Sequence, residues 1–233
     1  MRKNSFIIII VSAFLLLSAG CTADSSGETD PIWLTIGDRD IARSEAHYFL
    51  YSSAHTMRTY LPYIGWEDVI EDIPVTEFVK NEAINAMTLY YLSHIKANEL
   101  SAALTDEQQS ALAMWRDGYI DYYGSFDVFV DYLDSEGLTY ELFSYLNEAT
   151  LLRMNIIDAL FGENGSMRPS REQLSAFARE HGYDDSVETE SLREAYADDE
   201  LGKLMDKWSD DVEVTLGDEF LSVDVRELYE NFR

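Results

Sequence analysis

The chain has 233 residues, 46% of them hydrophobic, with 15 Tyr, 11 Phe and 4 Trp, so it can bury the core of one sizeable domain or two small ones. The first twenty residues hold Arg2 and Lys3 and no acid, which leaves 15 basic against 44 acidic residues and a net charge of −29 in the remainder. A surface that negative repels phosphate, so nucleic acid and bare anionic lipid are poor partners; it serves as a solvated acidic coat or draws basic segments of other proteins.

Arg2 and Lys3 make a basic start, and Phe6 to Leu17 is an apolar run too short to span a bilayer comfortably but suited to a signal-peptide core. It leads into Leu17-Ser18-Ala19-Gly20-Cys21, which resembles the lipobox of bacterial lipoproteins, with Ser18 where Leu is commoner. That resemblance implies a signal peptide over residues 1–20, cut before Cys21, and a diacylglyceryl group on the Cys21 thiol. Cys21 is the only cysteine, so an internal disulfide is excluded and lipid attachment is the economical reading. An ordinary cleaved signal and an uncleaved anchor are the alternatives. Residues 21–31 then read as a linker, since Thr22 to Asp30 is small and polar. The folded part is expected on the outer face of the bacterial cytoplasmic membrane, tied to it through Cys21.

Trp33 to Ile41 and Val212 to Leu221 are near-repeats: each alternates apolar and polar residues, then runs Thr, a branched aliphatic, Gly-Asp, two more residues and an apolar one. Such a pattern predicts a short strand entering a tight turn, with Gly at positive φ. Two short strands at opposite ends of a mostly helical chain have few other partners, so we expect them to pair and close the domain. Two unrelated hairpins at the solvent edge are the alternative.

Between them the chain reads as helices. Ser44 is the expected cap of a helix through Phe49, Leu50 and Met57, which Pro62 ends. Tyr63 to Pro74 reads as a loop around Gly65-Trp66, and Thr76 is the expected cap of a long helix to about Asn98. Thr105-Asp106-Glu107-Gln108 and Ser170-Arg171-Glu172-Gln173 are capping boxes. Helices from Ser125 to Gly137, from Thr139 to Gly162 and through Leu192 to Trp208 complete the set. Residues 32–233 therefore read as one mainly α domain of six or seven helices with a small β element joining its terminal strands.

Three segments in order carry a family resemblance. They are Thr35-Ile36-Gly37-Asp38 through Ser44-Glu45, the long helix Lys80 to Glu99 with Leu104-Thr105-Asp106-Glu107, and Gly137-Leu138-Thr139 through Phe143. Together they resemble the peptide-binding chaperone module of the SurA and PrsA foldases. In that family a parvulin prolyl isomerase domain usually follows the Pro-Ser-x-Glu helix. Here Pro169-Ser170-Arg171-Glu172 runs through His181-Gly182-Tyr183 into the acidic stretch Asp184 to Glu190, leaving no room for it. The resemblance implies a chaperone that binds unfolded or secreted client proteins without isomerase chemistry. A foldase with residual isomerase activity and a scaffold lipoprotein with one dedicated partner are the other readings.

The residues alone offer little chemistry. His47, His55, His94 and His181 are scattered, and no metal-binding, nucleophile or phosphate-loop motif is present, so no catalytic residue, metal or cofactor is expected. The pairs Asp184-Asp185, Asp198-Asp199 and Asp210-Asp211 lack the spacing of a calcium loop. What remains is aromatic: Trp66, Tyr90, Tyr91, Trp115, Tyr119, Tyr122 and Tyr123 exceed what a helical core requires. Tyr and Trp give adaptable contact area with a polar tip, which suits a client-binding groove as well as a core with hydroxyls at its rim. Met57, Met87, Met114 and Met154 are open to the same two uses.

Overall fold

The computed structural model describes residues 30–184 and 188–232. The expected signal peptide, Cys21 and the expected linker up to residue 29 lie outside the described residues. The chain runs β1 (Ile32–Ile36), β2 (Arg39–Ala42), α1 (Arg43–Tyr60), β3 (Val69–Ile70), β4 (Ile73–Pro74), α2 (Val75–Glu99) and α3 (Asp106–Tyr123). It continues through α4 (Phe126–Ser135), α5 (Tyr140–Phe161), α6 (Arg171–His181), α7 (Thr189–Ser209), β5 (Val214–Leu216), α8 (Asp218–Ser222) and α9 (Val225–Asn231). The fold is mainly α, as the apolar periodicity predicts.

The near-repeats do pair. Strands order β2-β1-β5, all antiparallel, and β1 meets β5 with Thr35 opposite Thr215, Leu34 opposite Leu216 and Ile36 opposite Val214. The Gly37 N–H donates to the Glu213 carbonyl, and the Gly217 N–H to the Trp33 carbonyl, each at 2.8 Å. Leu34, Ile36 and Ile41 are buried beneath the sheet. The two turns differ, however. Gly37 takes φ +59° and turns β1 into β2, whereas Gly217 sits at φ −77° and starts α8. The repeat holds for the strands and breaks down after the second one, where a helix replaces the turn.

Nine helices stand among the described residues, against the six or seven expected. The additions are α8 and α9, one or two turns each, too short to give a readable period. Their weight lies in Phe220, Val225 and Tyr229, all buried against the sheet and α1. The Tyr63–Pro74 loop also contains a hairpin, β3 with β4, turned by Glu71 at φ 52° and Asp72 at φ 69°. That turn ordinarily calls for Asn-Gly or Asp-Gly, so Glu-Asp gave no signal.

Helix caps follow the sequence in four cases and depart in two. Thr105 and Ser170 form capping boxes with Gln108 and Gln173, and the side chains of Ser125 and Thr139 accept from the N–H groups of Val128 and Leu142. Ser44 and Thr76, by contrast, lie inside helices that begin two residues earlier than expected, at Arg43 and Val75. For α1 the capping acceptor comes from a distance: the Asp30 carboxylate accepts from the Ser44 N–H at 3.0 Å. The last residue of the linker's polar stretch is thus part of the fold.

Packing divides into three apolar groups. The first joins the sheet, α1, the first half of α2 and the C-terminal helices through Ile36, Leu50, Val79 and Phe220. Within it the Lys80 ammonium reaches the Leu221 carbonyl at 2.6 Å, fixing α8 to α2. The second joins the later half of α2 to α5 and α7 through Leu92, Ile156 and Leu201. The third sets α3 and α4 on the start of α5 through Phe129, Leu133, Leu138 and Phe143. Gly137, at φ +70° between α4 and α5, lies under the Phe232 ring, which also stacks on Tyr51 at 4.3 Å.

Candidate functional site

Helix α3 is unlike the others: none of its eighteen residues is buried. It is held at its two ends. At the start, Asn155 of α5 exchanges hydrogen bonds with Gln108, accepting at 2.6 Å and donating at 2.9 Å, and also donates to the Ala103 carbonyl. At the far end Tyr119 stacks on Phe129 at 5.5 Å and meets Phe143 edge-on, while Tyr123 stacks on Tyr132 at 4.5 Å. Between these anchors the outward side chains meet solvent.

At about 100° per residue, positions seven apart on a helix line up. Three such lines run side by side on α3. Trp115 and Tyr122 form the first, Ala111 and Gly118 the second, and Glu107, Met114 and Asp121 the third. The middle line is a floor, and a Cβ at Gly118 would meet nothing within 4 Å. One wall is aromatic; the other is a methionine between two carboxylates. Trp115 is 51% exposed, Tyr122 76% and Met114 73%. Phe126 and Val128 at the start of α4 are exposed as well. Six of the fourteen large apolar side chains exposed among the described residues fall between Met114 and Val128. Monomeric surfaces mostly scatter such residues singly, so this concentration is a candidate contact surface.

The surroundings are acidic. From Ala103 to Leu152 there are ten carboxylates and one basic residue, Arg116, which is itself paired with Asp117 at 2.7 Å. On α4 burial raises the Asp134 carboxyl above its ordinary range, and the nearby Asp131 and Glu141 charges add to it. Burial raises Glu136 as well.

The aromatic residues singled out from sequence separate into two sets. Trp115, Tyr119 and Tyr122 share the outer part of α3, with Tyr123 turned into the third apolar group. Trp66, Tyr90 and Tyr91 are half-buried and elsewhere. Trp66 leans on Tyr229 at 5.7 Å with the Arg58 guanidinium 5.8 Å from its ring. Tyr90 packs on Phe49, and burial raises its hydroxyl pKa. The Tyr91 hydroxyl covers Gly37 and donates to Asp38 at 3.1 Å, bracing the β1–β2 turn. Sequence reasoning did not single out Gly118, Phe126 or Val128. The i, i+4, i+7 spacing of Trp115, Tyr119 and Tyr122 is the signal that points to their neighbourhood. Among the methionines, Met57 and Met87 fill the core, and Met114 and Met154 are exposed.

Among the described residues no group of three His, Cys, Asp or Glu could hold a metal ion, and no helix is long and apolar enough to cross a membrane. Each histidine packs on an aromatic ring: His47 on Trp33, His55 on Tyr51, His94 on Tyr145 and His181 on Phe177. Two surface depressions, of about 320 and 410 Å³, lie beside His47 and Glu227 and beside Trp66 and Arg226. Neither depression is lined by a residue of α3. Comparison with protein-family models, characterised proteins and solved structures finds no match.

Proposed function

We propose that this chain is a lipid-anchored extracytoplasmic chaperone that holds unfolded client segments without isomerase chemistry. The α3 surface carries the reading: an eighteen-residue helix with no buried residue, presenting Met114, Trp115 and Tyr122 outward, followed in sequence by the exposed Phe126 and Val128. Apolar client segments would be buried there reversibly, and the acidic surround would keep chaperone and client soluble. The resemblance to the SurA and PrsA module supports the same reading, as does the lipobox-like Leu17 to Cys21, which would place the protein on the outer face of the cytoplasmic membrane. Aggregation suppression tests it. The purified chain should slow light scattering by several unrelated unfolded proteins, and Trp115→Ala with Tyr122→Ala should remove that effect without lowering the melting temperature. Suppression of none, or equal suppression by the double variant, would refute the assignment of this surface. A response to one protein alone would point to a dedicated partner.

A further inference from the structure

We infer that the α3–α4 surface selects basic apolar segments: its client is a stretch of Lys or Arg interspersed with large apolar residues. This deepens the holding-chaperone reading and rests on it. The α3 groove has two unlike walls. The Trp115–Tyr122 wall offers rings, and rings attract both apolar side chains and cations, most strongly for Trp with Arg. The opposite wall ends in Glu107 and Asp121, one a heptad before Met114 and one a heptad after it, both exposed. A segment lying along the groove therefore meets an apolar centre with a carboxylate toward each end. Beyond α3, Asp127 and Asp131 on α4 continue the acidic margin, and both are exposed.

Charge decides which occupant fits. Ten carboxylates against one paired Arg116 between Ala103 and Leu152 make a field of one sign. A second copy of the chain would bring the same field against itself. An anionic lipid surface would be repelled likewise, and an acidic segment would leave its charges opposed at close range. A basic segment alone gains from every part of the margin. Because nine of these ten carboxylates are exposed, the attraction is long-ranged and screened, so it speeds encounter and discriminates among clients more than it tightens any one complex.

The test uses the full chain and three synthetic peptides that share the same Phe and Leu positions and carry Arg, Ser or Glu between them, with binding read by fluorescence anisotropy. At 0.01 M salt, where the Debye length is about 30 Å, the Arg peptide should bind at least about tenfold tighter than the Ser peptide, and the Glu peptide weakest. At 1 M salt, where that length is about 3 Å, the Arg and Ser peptides should converge. The triple variant Glu107→Gln, Asp121→Asn, Asp127→Asn, with its fold checked by circular dichroism, should bring them within about twofold at low salt. Equal affinities for all three peptides at both salts would overturn the selectivity and leave the holding-chaperone reading standing. Failure of all three to bind, with no suppression of aggregation, would overturn both. Self-association that the Arg peptide does not compete would overturn the choice of occupant.

Discussion

Gly118 gives the sharpest test of the α3 surface, because its two replacements should move stability and binding in different directions. Glycine inside a helix is about 0.8–1.0 kcal/mol less favourable than alanine, partly through the extra freedom of the unfolded chain. A Cβ there would meet nothing within 4 Å, so no neighbour has to move and no overpacking offsets the gain. Gly118→Ala should therefore stabilise the protein by about 0.5–1 kcal/mol, or about 1–4 °C in Tm for a chain of this size. Gly118→Leu should retain most of that gain, since leucine is also a good helix former. Its side chain, however, would fill the floor between Trp115 and Met114. We expect it to weaken the Arg peptide by about fivefold, equivalent to about 1 kcal/mol of lost contact. Thermal melts followed by circular dichroism, with anisotropy titrations on the same samples, measure both. A lower Tm for Gly118→Ala would mean that this face of α3 is covered in solution. Unchanged peptide binding by Gly118→Leu would mean that the groove is not the contact surface.

Removing Val212 to Arg233 takes away β5, α8 and α9 with the buried side chains of Phe220, Val225 and Tyr229. At about 1.5–3 kcal/mol per side chain this approaches the whole stability of a typical domain, so the cooperative melt should disappear; a truncated chain that melts like the parent would refute the closing role of the sheet. Asp30→Ala removes the acceptor at the start of α1 and should lower stability by about 1 kcal/mol, and a null effect would show that the Ser44 N–H is satisfied by water. Burial is the main influence lowering the His94 pKa; the Tyr145 carbonyl and Glu148 oppose it and Arg39 adds to it. The unfolded chain therefore takes up that proton first, so the contribution of neutral His94 is complete above about pH 6.5 and lost as pH falls toward the lower folded value. Tm measured from pH 8 to pH 5 should fall less for His94→Phe than for the parent, and parallel curves would refute this. Cys21→Ser should abolish metabolic labelling with a fatty acid, and undiminished label would sink the lipid assignment.

The legible parts of this fold are those set by neighbours in sequence. The capping boxes at Thr105 and Ser170 depend on residues three apart, and both formed as read. The strand pairing was visible because Thr35 and Thr215 sit in matching patterns. Ser44 misled because the better acceptor, Asp30, lies fourteen residues back, on the far side of β1 and β2 in the chain. The Glu71-Asp72 turn gave no glycine signal, and α8 and α9 were too short to show a period. For the candidate surface, helical spacing aligned Trp115, Tyr119 and Tyr122. Spacing alone could not separate them from Tyr90 and Tyr91, because which side of a helix is covered depends on its partners. Helix α2 is packed by α1, α5 and α7, while α3 has support only at its ends.

The terminal sheet also sets the order in which the molecule can be completed. Thr35 and Thr215 face each other across 180 residues of chain, so a polypeptide emerging amino end first presents β1 long before β5 exists to cover it. At roughly 5–20 residues per second that wait is about 9–36 s, far longer than helix formation or collapse. During it the edge of β1 and the apolar underside formed by Leu34 and Ile36 lack their last neighbours, Phe220 and Val225 among them. Early steps are thus confined to helix pairs close in sequence, such as α1 with α2 and α3 with α4, and the domain locks only when its final twenty or so residues arrive. A premature stop anywhere before β5 would leave a chain with most of its helices and no closure.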